Sequence, residues 1–264
     1  MAFARVNGVV LHHEVRGTPG RPFLVFSNSL GTDFRIWNAV ADQLRSDYRI
    51  VLYDKRGHGL SESTPAPYSL SDHVADLSAL LDHLGIQRTA VVGLSVGGLI
   101  AQGIAALHPE KVGALILSDT AHKIGTAATW NERIDAVTTN GIGSIADAIM
   151  QRWFTQAYRT PENADFIGYT AMLTRTDVEG YAGTCAALRD ADLTESTRSL
   201  KVPTLVIVGD EDGSTPPDLV RSTAELIQGS EFRIIEGAGH LPNIEKPGVV
   251  ASLISDFLKT VKYT

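Results

Sequence analysis

The stretch Val91-Val92-Gly93-Leu94-Ser95-Val96-Gly97-Gly98 narrows what this chain can fold into more than any other. Ala90-Val91-Val92 is an apolar run of the kind that forms a buried strand. It breaks into Gly-x-Ser-x-Gly and resumes as small residues at helical length, Leu99 to Ala106. A strand turning this sharply into a helix forces the serine into strained dihedrals, and flanking glycines let neighbouring backbone approach. The Ser95 hydroxyl then stands at a helix N-terminus, where unpaired amides and the helix dipole favour developing negative charge. A plain Gly-Ser turn capping an ordinary helix would account for neither the strand before it nor the partners found downstream.

Strands of similar character recur. The chain opens with a hairpin, 3–6 and 9–15, joined at Asn7-Gly8. Continuous apolar runs at 23–26, 49–53, 112–119 and 202–209, with a last strand at 232–235, read as a buried sheet. Helices are expected at 34–44 and at 70–84, where Val74, Leu77, Leu80, Leu81 and Leu84 recur at helical spacing before Gly85. A further helix, 247–261, closes the chain. From Thr120 to Ser196 the strand pattern disappears, leaving helical candidates at 130–137, 142–153, 164–173 and 178–191. Strands alternating with helices predict an α/β architecture, a mostly parallel sheet covered on both faces. The core is expected over 1–119 and 197–264. The helical insertion, 120–196, is expected to lie as a cap over the strands' C-terminal edge.

Glycine-broken loops follow several of these strands and carry polar residues. Ser27-Asn28-Ser29-Leu30-Gly31-Thr32-Asp33 sits past a central strand, beside the serine turn. The backbone amides of Leu30 and Val96 are therefore candidates to hold an oxyanion. Asp210 and Asp212 follow the strand ending at Gly209, and His240 follows the last strand. His240 would take the Ser95 proton, and an acid would fix its tautomer and stabilise the imidazolium. Asp212, further out in its loop, is favoured for that acid. Asp210 is better placed to brace the turn, and Asp119 is a third candidate. His58, in Asp54-Lys55-Arg56-Gly57-His58-Gly59-Leu60-Ser61, competes weakly as base, and that loop reads as a structural turn with internal salt bridges. His12-His13-Glu14 invites a metal reading, but neighbours on a strand point to opposite faces and no His-Glu-x-x-His helix is present. The expectation is that no metal is bound.

The insertion carries the aromatics a small pocket would use: Trp130, Trp153, Phe154 and Tyr158. Most of these could instead be packing residues that hold the inserted helices together, and packing is the favoured reading for any single one. Charge and composition limit the partners. A net charge of -7 with no long basic run argues against nucleic acid. The single cysteine, Cys185, excludes an intrachain disulfide framework and reads as a packed structural thiol in a reducing compartment. No apolar run is long enough to span a bilayer and the first residues lack a signal-peptide core, so no membrane and a cytoplasmic location are expected.

Gly93-Leu94-Ser95-Val96-Gly97-Gly98, Asp54-Lys55-Arg56-Gly57-His58-Gly59, Gly209-Asp210-Glu211-Asp212 and Gly239-His240 together resemble the α/β-hydrolase superfamily across the chain's length. The chain order Ser95, Asp212, His240 matches that superfamily's triad order. More narrowly, Asn28-Ser29-Leu30-Gly31-Thr32-Asp33, Ala121-His122-Lys123-Ile124-Gly125 with Trp130-Asn131-Glu132-Arg133-Ile134, and Arg152-Trp153-Phe154-Thr155 resemble the 3-oxoadipate enol-lactonase family. That resemblance implies hydrolysis of a small carboxylate-bearing lactone in the β-ketoadipate branch of aromatic catabolism, with no cofactor. A buried carboxylate needs a basic partner. Arg133, in the stretch that carries the resemblance and near Trp130, is the expected anchor, with Lys123 and Arg152 next. An Arg133 ion pair with Glu132 or Asp135 is the competing reading. Other small-ester hydrolysis, cofactor-free perhydrolysis, C–C bond hydrolysis and a hydrolase-derived ligand receptor use the same triad and stay open here.

Overall fold

The computed structural model describes residues 1–263. Strands β1 (Ala2–Val6) and β2 (Val9–Arg16) form the expected hairpin, with Asn7 and Gly8 both at positive φ, as a tight two-residue turn demands. Strands β3 (Phe23–Ser27), β4 (Arg49–Tyr53), β5 (Thr89–Leu94), β6 (Val112–Ser118), β7 (Thr204–Gly209) and β8 (Glu231–Ile235) complete an eight-stranded sheet of order β1-β2-β4-β3-β5-β6-β7-β8. Strand β2 pairs antiparallel with β1 and β4, and the other pairings are parallel.

Helices α1 (Asn38–Leu44), α2 (Leu70–His83) and α3 (Val96–Leu107) alternate with the first strands. Five helices separate β6 from β7: α4 (Ala127–Asn140), α5 (Ala146–Trp153), α6 (Ala164–Thr174), α7 (Val178–Asp190) and α8 (Thr194–Ser199). Helices α9 (Pro217–Leu226), α10 (Pro242–Glu245) and α11 (Pro247–Thr260) follow.

Because strand side chains alternate between faces, the central strands feed two cores. Leu24, Phe26, Ile50, Leu52, Val92, Ile116 and Ile207 pack with Val40 and Leu44 of α1 and Ile254 and Leu258 of α11. Their neighbours Val25, Val51, Val91, Leu115, Val206 and Val208 pack with Leu77 and Leu81 of α2, Ile100 and Ile104 of α3, and Val220 of α9. Two expected helices are shorter than periodicity suggested, because Phe34–Trp37 and Ile142–Ile145 are 3-10 turns preceding α1 and α5. Helices α8, α9 and α10 escaped the sequence reading. Helix α8 offers no apolar stripe, while α9 and α10 begin at prolines that read as loop but sit in the first turn, where the missing N–H costs nothing.

The loop after β4 departs from expectation. Its charges do not pair internally but reach to other elements. Asp54 bonds His12 Nδ1 at 2.7 Å and accepts from the Phe34 and Leu60 amides. Arg56 forks onto Asp76 of α2 with two bonds of 2.6 Å. The loop is buried, and a buried charge needs a partner wherever one lies close. Removing one side of the Arg56–Asp76 pair strands the other. Asp76→Ala is therefore expected to cost about 3–5 kcal/mol, seen as a lower urea midpoint at unchanged slope.

Candidate active site

Ser95 lies between β5 and α3 with φ 57° and ψ −120°. A residue there survives only if its surroundings over-determine it. Its N–H donates to Ser118 O at 3.0 Å, and its carbonyl accepts from Thr120 Oγ1 at 2.6 Å and from the Gly98 and Leu99 amides. The glycines are sterically required. A Cβ on Gly93 would lie 2.2 Å from Gly97 O, and one on Gly97 would lie 2.2 Å from Ser27 O. Among the described residues the Ser95 hydroxyl makes no hydrogen bond, and the Leu30 and Val96 N–H groups have no partner.

His240 Nδ1 lies 2.9 and 3.0 Å from the two carboxylate oxygens of Asp212. A carboxylate only accepts, so the Nδ1 proton belongs to this contact and Nε2 is left as a base. Asp212 also accepts from the Ser214 and Thr215 amides and from Thr215 Oγ1. Burial works to raise its pKa. The charge of His240, with hydrogen bonds from His240 and Thr215, outweighs burial and holds it below the ordinary carboxylate value. Asp210 does different work, accepting from the Gly237 and Ala238 amides at 2.8 and 3.2 Å and so bracing the turn before His240. Glu245, which sequence reasoning missed, accepts from Gly239 N at 2.6 Å and from Thr155, tying the histidine loop to the end of α5. His58 stands apart from this group, fully buried behind the Leu30 loop.

Ser95, His240, Leu30 and Thr215 line a cavity of about 220 Å³ whose opposite wall is Trp130 and Arg133 of α4, Arg152 and Trp153 of α5, and Tyr181 and Leu188 of α7. Trp130 is fixed by an indole bond to Ile124 O at 2.6 Å, and the Arg133 guanidinium stands 5.1 Å from its ring centre. Neither Arg133 nor Arg152 has a carboxylate partner among the described residues. Lys123 is spent on Asp192 at 2.9 Å. Phe154 and Tyr158 stack on each other at 4.7 Å and do not line the cavity, so they pack the inserted helices instead. Cys185 is buried, and burial pushes its thiol up to about 12.

A family profile described as alpha/beta hydrolase fold matches residues 22–247. The chain belongs to the α/β-hydrolase family. It is 36% identical to 3-oxoadipate enol-lactonase 2 of Acinetobacter baylyi over 241 residues, covering 90% of this chain and 89% of that one. It is 34% identical to 3-oxoadipate enol-lactonase 1 of the same organism, covering 97% and 96%. The crystal structure of an enol-lactonase from Burkholderia xenovorans superposes with a TM-score of 0.95 at 36% identity, over 98% of this chain and 100% of that chain. With relatives of this kind, the chain is a hydrolase of ester bonds. No helix among the described residues is long and apolar enough to cross a membrane.

One further carboxyl stands at the acid end of this α/β-hydrolase site. Oxygen and nitrogen atoms of Asp119, Asp212 and His240 lie within 4.8 Å of one another. Asp119, fully buried at φ 48°, accepts from Gly209 N at 2.9 Å and Ser118 Oγ at 2.6 Å. Burial, then the neighbouring Asp212 charge, pushes its pKa well above the ordinary value, so of the two carboxyls Asp119 is the one that takes a proton more readily. A protonated acid is a poor metal ligand, and Asp212 and His240 are already bound to each other. A carboxyl whose pKa is raised by folding lends stability below its unfolded pKa and loses it as pH rises toward its folded pKa. Asp119→Asn, which keeps a donor and loses the titration, is expected to raise Tm at pH 7–8 by about 2–4 °C per kcal/mol relieved. The gain should shrink toward pH 4, as calorimetry across that range would show.

Proposed function

We propose that this chain hydrolyses 3-oxoadipate enol-lactone to 3-oxoadipate in the β-ketoadipate pathway of aromatic catabolism. Ser95 is the nucleophile, His240 the base and Asp212 its acid. The observation that carries the reading is the pairing, in one small cavity, of Ser95 and His240 with two guanidinium groups that have no acid partner. A carboxylate leaving water for the cavity is best met by a cation, and Arg133, half-buried, or Arg152, exposed, has no carboxylate of its own to hold. The cavity lies below the roughly 300–1,000 Å³ of drug-sized sites, which suits a compact ligand. The names of the relatives support the same substrate. In this reading residues 120–196 act as the lid over the site, and the single buried thiol suits a cytoplasmic setting.

The proposed chemistry uses these residues in turn. His240 Nε2 takes the Ser95 proton as Oγ attacks the lactone carbonyl, and the Leu30 and Val96 amides receive the oxyanion. Collapse breaks the ring C–O bond and expels an enolate oxygen, a better leaving group than an alkoxide. The imidazolium protonates it, and the enol relaxes to the ketone. His240 then activates water against the acyl-serine, releasing the second carboxylate. Trp130 and Trp153 form the apolar walls along the ring, and Arg133 holds the acetate arm.

Ser95→Ala is expected to lose on the order of 10³–10⁶ in turnover with an unchanged fold, and Asp212→Asn about 10⁴. Asp210→Asn should lower stability instead. Near-normal turnover by Ser95→Ala on the enol-lactone would end the serine mechanism.

Recognition is tested separately. Arg133→Ala is expected to weaken kcat/KM for the enol-lactone about 10- to 150-fold more than for p-nitrophenyl acetate, the worth of one charge-assisted hydrogen bond. Equal losses on both substrates would move the anchor to Arg152.

A further inference from the structure

Lys55 is 1% exposed, and its ammonium makes a single hydrogen bond among the described residues, 2.6 Å to the carbonyl of Ser29. No carboxylate lies within ion-pair distance of it. An ammonium buried without a carboxylate is expensive and calls for a reason.

The carbonyl it meets belongs to the Ser29–Leu30 peptide, the unit whose N–H is the Leu30 amide. A trans peptide points its C=O and N–H in opposite directions. Anchoring Ser29 O on Lys55 therefore turns the Leu30 N–H the other way, and Leu30 lines the cavity beside Ser95. Thr32 adds two donors to the same oxygen, its hydroxyl at 2.9 Å and its amide at 3.3 Å. On the far side of Leu30, the Gly31 amide donates to His58 Nε2 at 3.0 Å, while His58 Nδ1 meets Arg56 O at 3.2 Å. That pattern requires neutral His58 with its proton on Nδ1. The Asp54–Gly59 loop thus clamps the peptides on both sides of Leu30, and only the Lys55 clamp carries charge.

We propose that Lys55 is a positioning residue that aims and polarises the Ser29–Leu30 peptide, making the Leu30 N–H a stronger oxyanion donor while the ammonium is protonated. This rests on the reading of Ser95 as nucleophile and Leu30 as oxyanion donor. A cation on a peptide oxygen draws electron density from the nitrogen and leaves the N–H more positive, as hydrogen bonds in series strengthen one another. The groups around Lys55 set when the charge is present. Burial drives its pKa down to about 7, and the charges of Asp54 and Asp33 resist. His58 and His73 of α2 face it and are themselves held neutral, by burial first and by Lys55 next. As pH rises through about 7, Lys55 loses its proton and the Leu30 donor weakens.

The wild-type kcat is therefore expected to carry an alkaline fall as pH rises through about 7, and Lys55→Met should remove it. At pH 6.5 that variant should lose about 10- to 100-fold in kcat, short of the 10²–10³ that deleting an oxyanion donor costs, with KM changed less than about 2-fold. A second measurement does not depend on the variant's folding. In ¹⁵N-leucine-labelled His240→Gln protein, which removes the imidazole that lines the cavity with Leu30, the Leu30 amide resonance should titrate between about pH 5.5 and 9. It should shift downfield on the acid side. A Leu30 amide insensitive to pH, or a Lys55→Met enzyme that keeps the wild-type alkaline limb, overturns the proposal. If Ser95→Ala is inactive in the same assays, only the role of Lys55 falls. If Ser95→Ala turns over, the serine reading falls while the Leu30 titration still reports the clamp.

Discussion

The strained turn at Ser95 is the constraint the rest of this structure serves. A non-glycine residue at φ 57° and ψ −120° costs on the order of 1–3 kcal/mol, and its own side chain recovers none of it. What holds it is β5, buried along its whole length between β3 and β6, together with Ser118, Thr120 and the first amides of α3 fastening both ends of the serine's backbone. The glycines at 93 and 97 follow from the same close approach, since backbone oxygens occupy the space a Cβ would need. Turn, sheet and helix are consequently one rigid unit, which suits the nucleophile role proposed for Ser95.

Charge inside the fold follows one rule with a few informative departures. Asp54 meets His12, Arg56 meets Asp76 and Asp212 meets His240 at hydrogen-bond distance, as burial requires. Two departures lie close to the cavity: Asp119, beside Asp212, has its pKa pushed up by burial, and Lys55 meets a peptide carbonyl. Arg133, half-buried, and Arg152, exposed, line the cavity itself without a carboxylate partner. Such groups gathered around one cavity are the places where a ligand is most readily bound.

The inserted helices are bound to the site by backbone rather than by apolar packing alone. Arg152 and Trp153, at the end of α5, accept through their carbonyls from Gly213 and Leu241, neighbours of Asp212 and His240. A Cβ at Gly239 would lie 2.5 Å from Trp153 O, so the histidine loop and α5 are in direct backbone contact. The segments that shape the cavity wall and those that carry Asp212 and His240 are therefore fastened to each other through backbone.

The sequence by itself determined the strand-turn-helix at Ser95, the order of strands and helices, and the late loops holding Asp212 and His240. These features are local: apolar runs, glycine breaks and short spacing reveal them without knowledge of the third dimension. The same locality concealed α8, α9 and α10, whose polar or proline-led segments owe their helicity to what they pack against. Tertiary structure alone decided that Arg56 pairs with Asp76 rather than within its loop, and that Phe154 and Tyr158 stack away from the cavity. It alone brought Glu245 and Lys55 to the site. The polar contacts among these depend on partners far along the chain, 20 residues for Arg56 and Asp76, 26 for Lys55 and Ser29, and 90 for Glu245 and Thr155. A buried polar group is satisfied by whichever group the fold brings within 3 Å, and sequence patterns carry no record of that distance.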